Sequence, residues 1–350
     1  MSRLARGLTL SIILGVVVIV GVILSSVIGQ LAIDPTQVVG SLLRAIGIPN
    51  GWAPDDSVVE NTLWVVRFPR IVMGLAVGAA LAVAGAVMQA IFGNPLAEPG
   101  VVGVSSGAAL GAALGIVLAG LGVAAFTTSW ATAALAFAGG LGATLLVYAV
   151  SRSNGRTEVV TLLLTGIAIN AFAGAGLAFL LFASSAASRE QIVFWQLGSL
   201  NGSRWQEVGI VVAVSVVGLV VALLISGRLN LLALGERSAR HLGVNVEALR
   251  VGAIVLVALL TGVAVAFCGI IAFVGLVVPH IIRMAIGPSH RPLILASAIG
   301  GGALLVYADL LARTVVAGAD LPIGMLTSLI GGPFFFFLLY RQRKRSGGWA

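Results

Sequence analysis

The sequence predicts an all-α, polytopic membrane protein of about ten transmembrane helices, folded as a single transmembrane domain over residues 1–350. Three observations lead there. Hydrophobic residues make up 59% of the chain and charged ones 9%, too little charge to cover the surface of a soluble protein of this length. Apolar runs of about 20 residues, the length that crosses a bilayer, recur from one end to the other. Most arginines flank those runs, so the net charge of +8 reads as membrane topology rather than affinity for nucleic acid.

The runs fall at roughly 8–29, 63–92, 101–119, 127–150, 160–183, 207–227, 250–267, 269–286, 293–311 and 322–340. The first follows Arg3 and Arg6 and is not followed by a convincing small-residue cleavage site, so it reads as a retained span rather than a signal peptide. The second is long enough to tilt, and 269–286 is short. Two polar stretches separate spans. Residues 30–62 carry Trp52 and several prolines, and 184–206 carry Trp195 and Trp205, tryptophans of the kind that anchor at an interface. Small residues spaced G-x-x-x-G, at Gly74 and Gly78 and again at Gly107, Gly111 and Gly115, predict closely packed helices. Gln89 and Asn170, polar within spans, are expected to hydrogen-bond between helices.

An even number of spans puts both ends on one side. With the ends cytoplasmic, 14 of the 20 basic residues lie inside and six outside, the bias expected for that orientation. No carboxylate falls at the middle of a span. A proton- or sodium-driven carrier, the alternative class, usually needs one.

The longest charged, helix-capable stretch between apolar runs is Leu229–Arg250. Its spacing predicts two short helices, the first carrying Leu234, Ala239 and Leu242 with a Glu236–Arg240 pair one turn apart. Gly243 would end that helix, and Asn245 would cap the next. On the face of a membrane protein such a stretch is a solvated connector or a docking surface. The chain's only lysine, Lys344, lies in the basic run Arg343–Arg345, so no phosphate-binding loop of the G-x-x-x-x-G-K-[ST] type exists. Any ATP-driven role therefore calls for a partner chain. Gly103–Gly107 matches G-x-S-x-G, but that motif requires a strand leading into a helix, and here a Pro-Gly turn opens an apolar run. His241, His280 and His290 lack metal-ligand spacing, and Cys268 stands alone, so neither a catalytic nor a metal site is assigned. Asn94–Gly100 is a tight turn holding two prolines. Arg67, Arg70 and Arg313 sit at the outer edges of spans, where they either snorkel to lipid headgroups or receive acidic residues from an external protein.

These stretches carry a resemblance. Arg67-Phe-Pro-Arg70, the Gly/Ala-rich span with Gln89, NPLAEPG, GVSSGAALGA, LNLLALGERSARHLGV, GIIAFVGLVVPHIIR, ADLLAR and LPIGMLTSLIGGPFF together resemble permease subunits of the iron-siderophore, haem and cobalamin ABC importers. The resemblance spans the chain from about residue 60. It implies a type II importer fold in a bacterial cytoplasmic membrane, two permease subunits forming one pathway, ABC ATPase subunits that bind the ATP, and an extracytoplasmic substrate-binding protein. No cofactor is implied for this chain. At matching positions it implies that Arg67, Arg70 and Arg313 receive the binding protein, and that Asn94 and Leu96 narrow the cytoplasmic gate. Gly235, Glu236, Ala239, Arg240, Leu242 and Gly243 would form the coupling helix seated in a cleft of the ATPase. The loop near Arg156 to Val160 departs from the family pattern, and no single residue is carried over there. A ferric siderophore is the expected cargo, with haem and cobalamin as alternatives.

Overall fold

The computed structural model describes residues 3–153, 156–316 and 318–345. Among these the chain is helical almost throughout: α1 (Arg3–Val27), α2 (Pro35–Ala45), α3 (Ser57–Asn61), α4 (Phe68–Phe92), α5 (Val104–Gly120), α6 (Ser129–Val150) and α7 (Val159–Ala183). Then follow α8 (Ala186–Leu197), α9 (Trp205–Leu232), α10 (Glu236–His241), α11 (Val246–Cys268), α12 (Val274–Ile286), α13 (His290–Ala312) and α14 (Ile323–Arg345). A π-helical turn, Thr62–Arg67, fuses α3 to α4. One departure from an all-helical chain appears between α6 and α7, where Arg152–Ser153 pairs antiparallel with Arg156–Thr157.

Among the described residues, seven helical stretches are long and apolar enough to cross a membrane, and three shorter apolar helices, Val104–Gly120, Val274–Ile286 and Ile323–Phe337, bring the set to the expected ten. Burial ranks them. About three quarters of the apolar window of α4, α11 and α13 is buried (78%, 72% and 78%), against 17% for α1 and 11% for α7. The bundle is thus built around α4, with α1 and α7 at the rim.

Small residues explain how α4 occupies the centre. A Cβ on Gly78 would lie 2.1 Å from the Gly301 carbonyl of α13, and one on Gly85 would lie 1.8 Å from the Gly275 carbonyl of α12. No side chain fits at either place, so the backbones touch, the packing that the G-x-x-x-G spacing at Gly74 and Gly78 foretells. Gly107 meets Gly139 of α6 in the same way. The polar residues within spans bridge helices. Gln89 Nε2 donates to the carbonyls of Gly275 and Leu276 (3.4 and 3.2 Å), and Asn170 of α7 bonds Ser106 of α5.

Helix ends follow local chemistry. Asp34 and Gln37 form a capping box on α2, with Pro35 in its first turn. Gly93, left-handed at φ 59°, ends α4, and two prolines keep the next stretch from resuming it. The span expected at 269–286 is helical only over 274–286. At 13 residues it is about 20 Å long, short of the roughly 30 Å of a hydrocarbon core.

Candidate functional site

Three places gather the residues singled out above. At the end of the bundle bearing α2, the last turn of α13 faces the start of α4. Arg70 lies between two carboxylates, its Nε donating to Asp309 at 2.8 Å and its Nη1 to Asp320 at 2.7 Å. Arg67 and Arg313 reach the other way, to the carbonyls that end α1, while Arg313 Nε also lies 3.6 Å from Asp309. Arg67 donates to Ser26, Val27 and Leu31, and Arg313 to Ser25 and to Ile28 (2.8 Å). These carbonyls are the acceptors a helix C-terminus leaves without partners, at the negative end of its dipole. The three arginines are therefore brought together, yet Arg67 and Arg70 are buried (4% and 7% exposed) rather than projecting from the surface. Burial also lowers the pKa of Arg313. With Asp309 and Asp320 they line a cavity of about 480 Å³. Asp309 was legible as the residue one turn before Arg313; nothing in the sequence linked Asp320 to Arg70.

At the opposite end, Leu229–Arg250 does not form two short helices. Leu229–Leu232 completes α9, α10 stands alone, and the stretch capped by Asn245 is the first turn of α11. The two long helices pull the segment's ends into their own hydrogen-bonded ladders, leaving α10 as a single short rung. Gly235 and Gly243 flank it at φ 102° and 83°. Ala239 is fully buried beneath it, whereas Leu234 and Leu242 are 65% and 58% exposed. Glu236 accepts from Arg240 at 3.3 Å, the pair expected, and also from the buried Arg250, a contact spacing does not reveal. The short helix is thereby tied to the root of α11.

The third place is the turn after α4. Asn94 Oδ1 accepts the Leu96 N–H at 2.9 Å, folding the turn on itself. Gly93 and Phe92 share a cavity of about 380 Å³ with Gly235, Glu236, Arg250, Arg283 and His290, so this turn and the α10 region border one space. Further on, Glu98 Oε1 accepts the Phe273 N–H at 3.3 Å, and burial raises the Glu98 pKa above the usual carboxylate range while that hydrogen bond opposes the rise. Sequence reasoning did not single out Glu98. Gly103 leads directly from a 3-10 turn into α5, so the G-x-S-x-G pattern lacks the strand its chemistry needs.

Among the described residues, ten apolar helices with a short charged helix slung between two of them form a multi-pass membrane bundle. A profile of the FecCD transport family matches residues 16–341, and the chain belongs to that family, whose members here are permease subunits of ABC importers. It is 43% identical to the hemin transport system permease protein HmuU of Yersinia pestis, over 82% of this chain and 85% of that one. It is 42% identical to the cobalamin import system permease protein BtuC of Halobacterium salinarum, over 80% and 74%. Among solved structures it superposes on an inward-facing conformation of a metal-chelate type ABC transporter with a TM-score of 0.82, at 30% identity, covering 95% of this chain and 99% of that one.

Proposed function

We propose that this chain is the membrane half of an importer for an iron chelate, moved by ATPase subunits that dock on α10. The observation that carries the reading is the geometry of α10. Leu234 and Leu242 lie in solvent beside a helix whose other face is fixed by Ala239 and by the Glu236–Arg250 contact. Exposed leucines on a rigid rung between two spans suit a partner's apolar cleft, and a push on the rung reaches α9 and α11 without slack. The chain supplies no ATP-binding loop of its own, so hydrolysis belongs to the partner. A second permease subunit would cover exposed faces of the bundle, both termini would be cytoplasmic, and Asn94 and Leu96 would narrow the gate.

Docking of a binding protein would use the cavity lined by Arg67, Arg70 and Arg313. Three guanidiniums against Asp309 and Asp320 leave one net positive charge for an incoming carboxylate. The acceptors that now hold Arg67 are neutral carbonyls, so an ionised group competes with them favourably, whereas Arg313 is also paired with Asp309 at 3.6 Å. Such docking would weaken with salt.

A ferric siderophore is the cargo to test first. Haem is the second reading, favoured by the 43% identity to a hemin permease, and cobalamin the third. The complex of this chain with its ATPase and binding-protein partners, reconstituted in liposomes, is offered each compound with ATP. Uptake of a labelled ferric siderophore and exclusion of haem and cobalamin is the expected result. Accumulation by the chain alone under a proton or sodium gradient would overturn the reading.

A further inference from the structure

Between α11 and α12 the backbone leaves the helical path for Gly269–Phe273, and α12 then runs only 13 residues to the α10 end. The start of α12 consequently lies inside the bundle, beside Gly85 of α4. Irregular backbone at that depth is tolerated only where the protein supplies hydrogen-bond partners that water cannot. Gln89 provides donors for the carbonyls of Gly275 and Leu276, and Glu98 provides the acceptor for the Phe273 N–H. Phe273 is also the single non-glycine residue with positive φ (67°) among the described residues, a conformation that costs of the order of 1 kcal/mol or more and persists only where its surroundings hold it. Its ring rests on Gly331 of α14, where any added Cβ would collide with it. Pro99, next to Glu98, packs against Gly275. The turn after α4, the break before α12 and the middle of α14 therefore meet at one point.

We propose that Glu98 is a positioning residue of the transport cycle, fastening the Asn94–Gly103 turn to the α11–α12 break so that the turn swings only when the Phe273 N–H is released. A side-chain acceptor suits this role because it faces the N-terminal end of α12, whose first N–H groups have no partner within the helix. The seat of Phe273 on α14 extends the same linkage, so release at Glu98 also frees the ring from Gly331.

The inference rests on the permease reading, but its test needs no cargo. The full chain in lipid nanodiscs carries Leu96→Cys as a reporter on the turn, with the buried Cys268 measured in a chain lacking the reporter. The rate of labelling by a charged maleimide reports how often the turn opens. Glu98→Ala should speed labelling about fivefold, what one ordinary hydrogen bond is worth, and Glu98→Gln, whose amide oxygen still accepts an N–H, should return it to within about twofold of the parent. Labelling of Glu98→Ala at the parent rate with an unchanged melting temperature overturns the proposal, as does Glu98→Gln labelling as fast as Glu98→Ala. Should Glu98→Ala fail to fold, Phe273→Gly serves instead. It removes the ring and the backbone strain while Glu98 remains, and unchanged labelling in that variant overturns the proposed linkage. A failure of ATP-driven uptake with this labelling pattern intact would count against the permease reading alone.

Discussion

The two ends of the bundle hold their charges in opposite ways. At the α2 end, Arg67 and Arg70 are buried and Arg313 half-buried, and each is held by carboxylates or by the carbonyls that end α1. At the α10 end, Glu236 and Arg240 are each nearly half exposed, and Leu234 and Leu242 stand in solvent. The first arrangement fastens three helices, α1, α4 and α13, to one another. The second ties only the short α10 to the root of α11, through Glu236 and Arg250, and leaves apolar surface for something else to cover. The difference teaches that a charged cluster's role is set less by its charge count than by what already occupies its hydrogen-bonding groups.

That contrast can be broken by substitution. The largest effect is expected at Arg70: Arg70→Ala leaves the buried Asp309 only its longer contact with Arg313 (3.6 Å), costing roughly 3–5 kcal/mol, read as loss of thermal stability in detergent. Adding Asp309→Leu to it should recover part of that loss, because the second change removes the stranded charge; a double variant no more stable than Arg70→Ala would show that packing, not charge, governs the cluster. Gly85→Val comes next. With the Gly275 carbonyl in the way, overpacking should cost about 1–3 kcal/mol, and a variant as stable as the parent would mean that α4 and α12 separate easily.

At the other end the effects on the chain itself should be small and the effects on a partner large. Leu242→Glu should leave the melting temperature where it was while weakening association with the ATPase about tenfold or more, measured by co-purification at fixed concentration. A fall in melting temperature with association intact would move Leu242 from a docking face to the chain's own packing. The smallest effect belongs to the exposed ion pair: Arg240→Ala should change stability by less than about 0.5 kcal/mol, and by less still in high salt. Comparable losses at Arg70 and Arg240 would erase the distinction between the two ends.

Several particulars were readable beforehand. Most of the spans, the Glu236–Arg240 pair, the Asn245 cap and the close approach at Gly78 follow from periodicity, small-residue spacing and local chemistry, which act within a turn or two of chain. Other features joined residues far apart and left no local trace. Asp320 reaches Arg70 across 250 positions, and Glu98 reaches Phe273 across 175. The reading of Leu229–Arg250 as two short helices failed for a related reason, since its ends were absorbed into the neighbouring long helices.

The sequence alone therefore determined the class of protein, the number of apolar helices and the family, because hydropathy, small-residue spacing and ordered motifs are written along the chain. Tertiary structure alone decided that the three arginines are held inward, that α12 starts within the bundle, and that the turn after α4 is tied to that start. Each of those depends on which carbonyl or carboxylate reaches a buried N–H group, and that is settled only when distant helices pack.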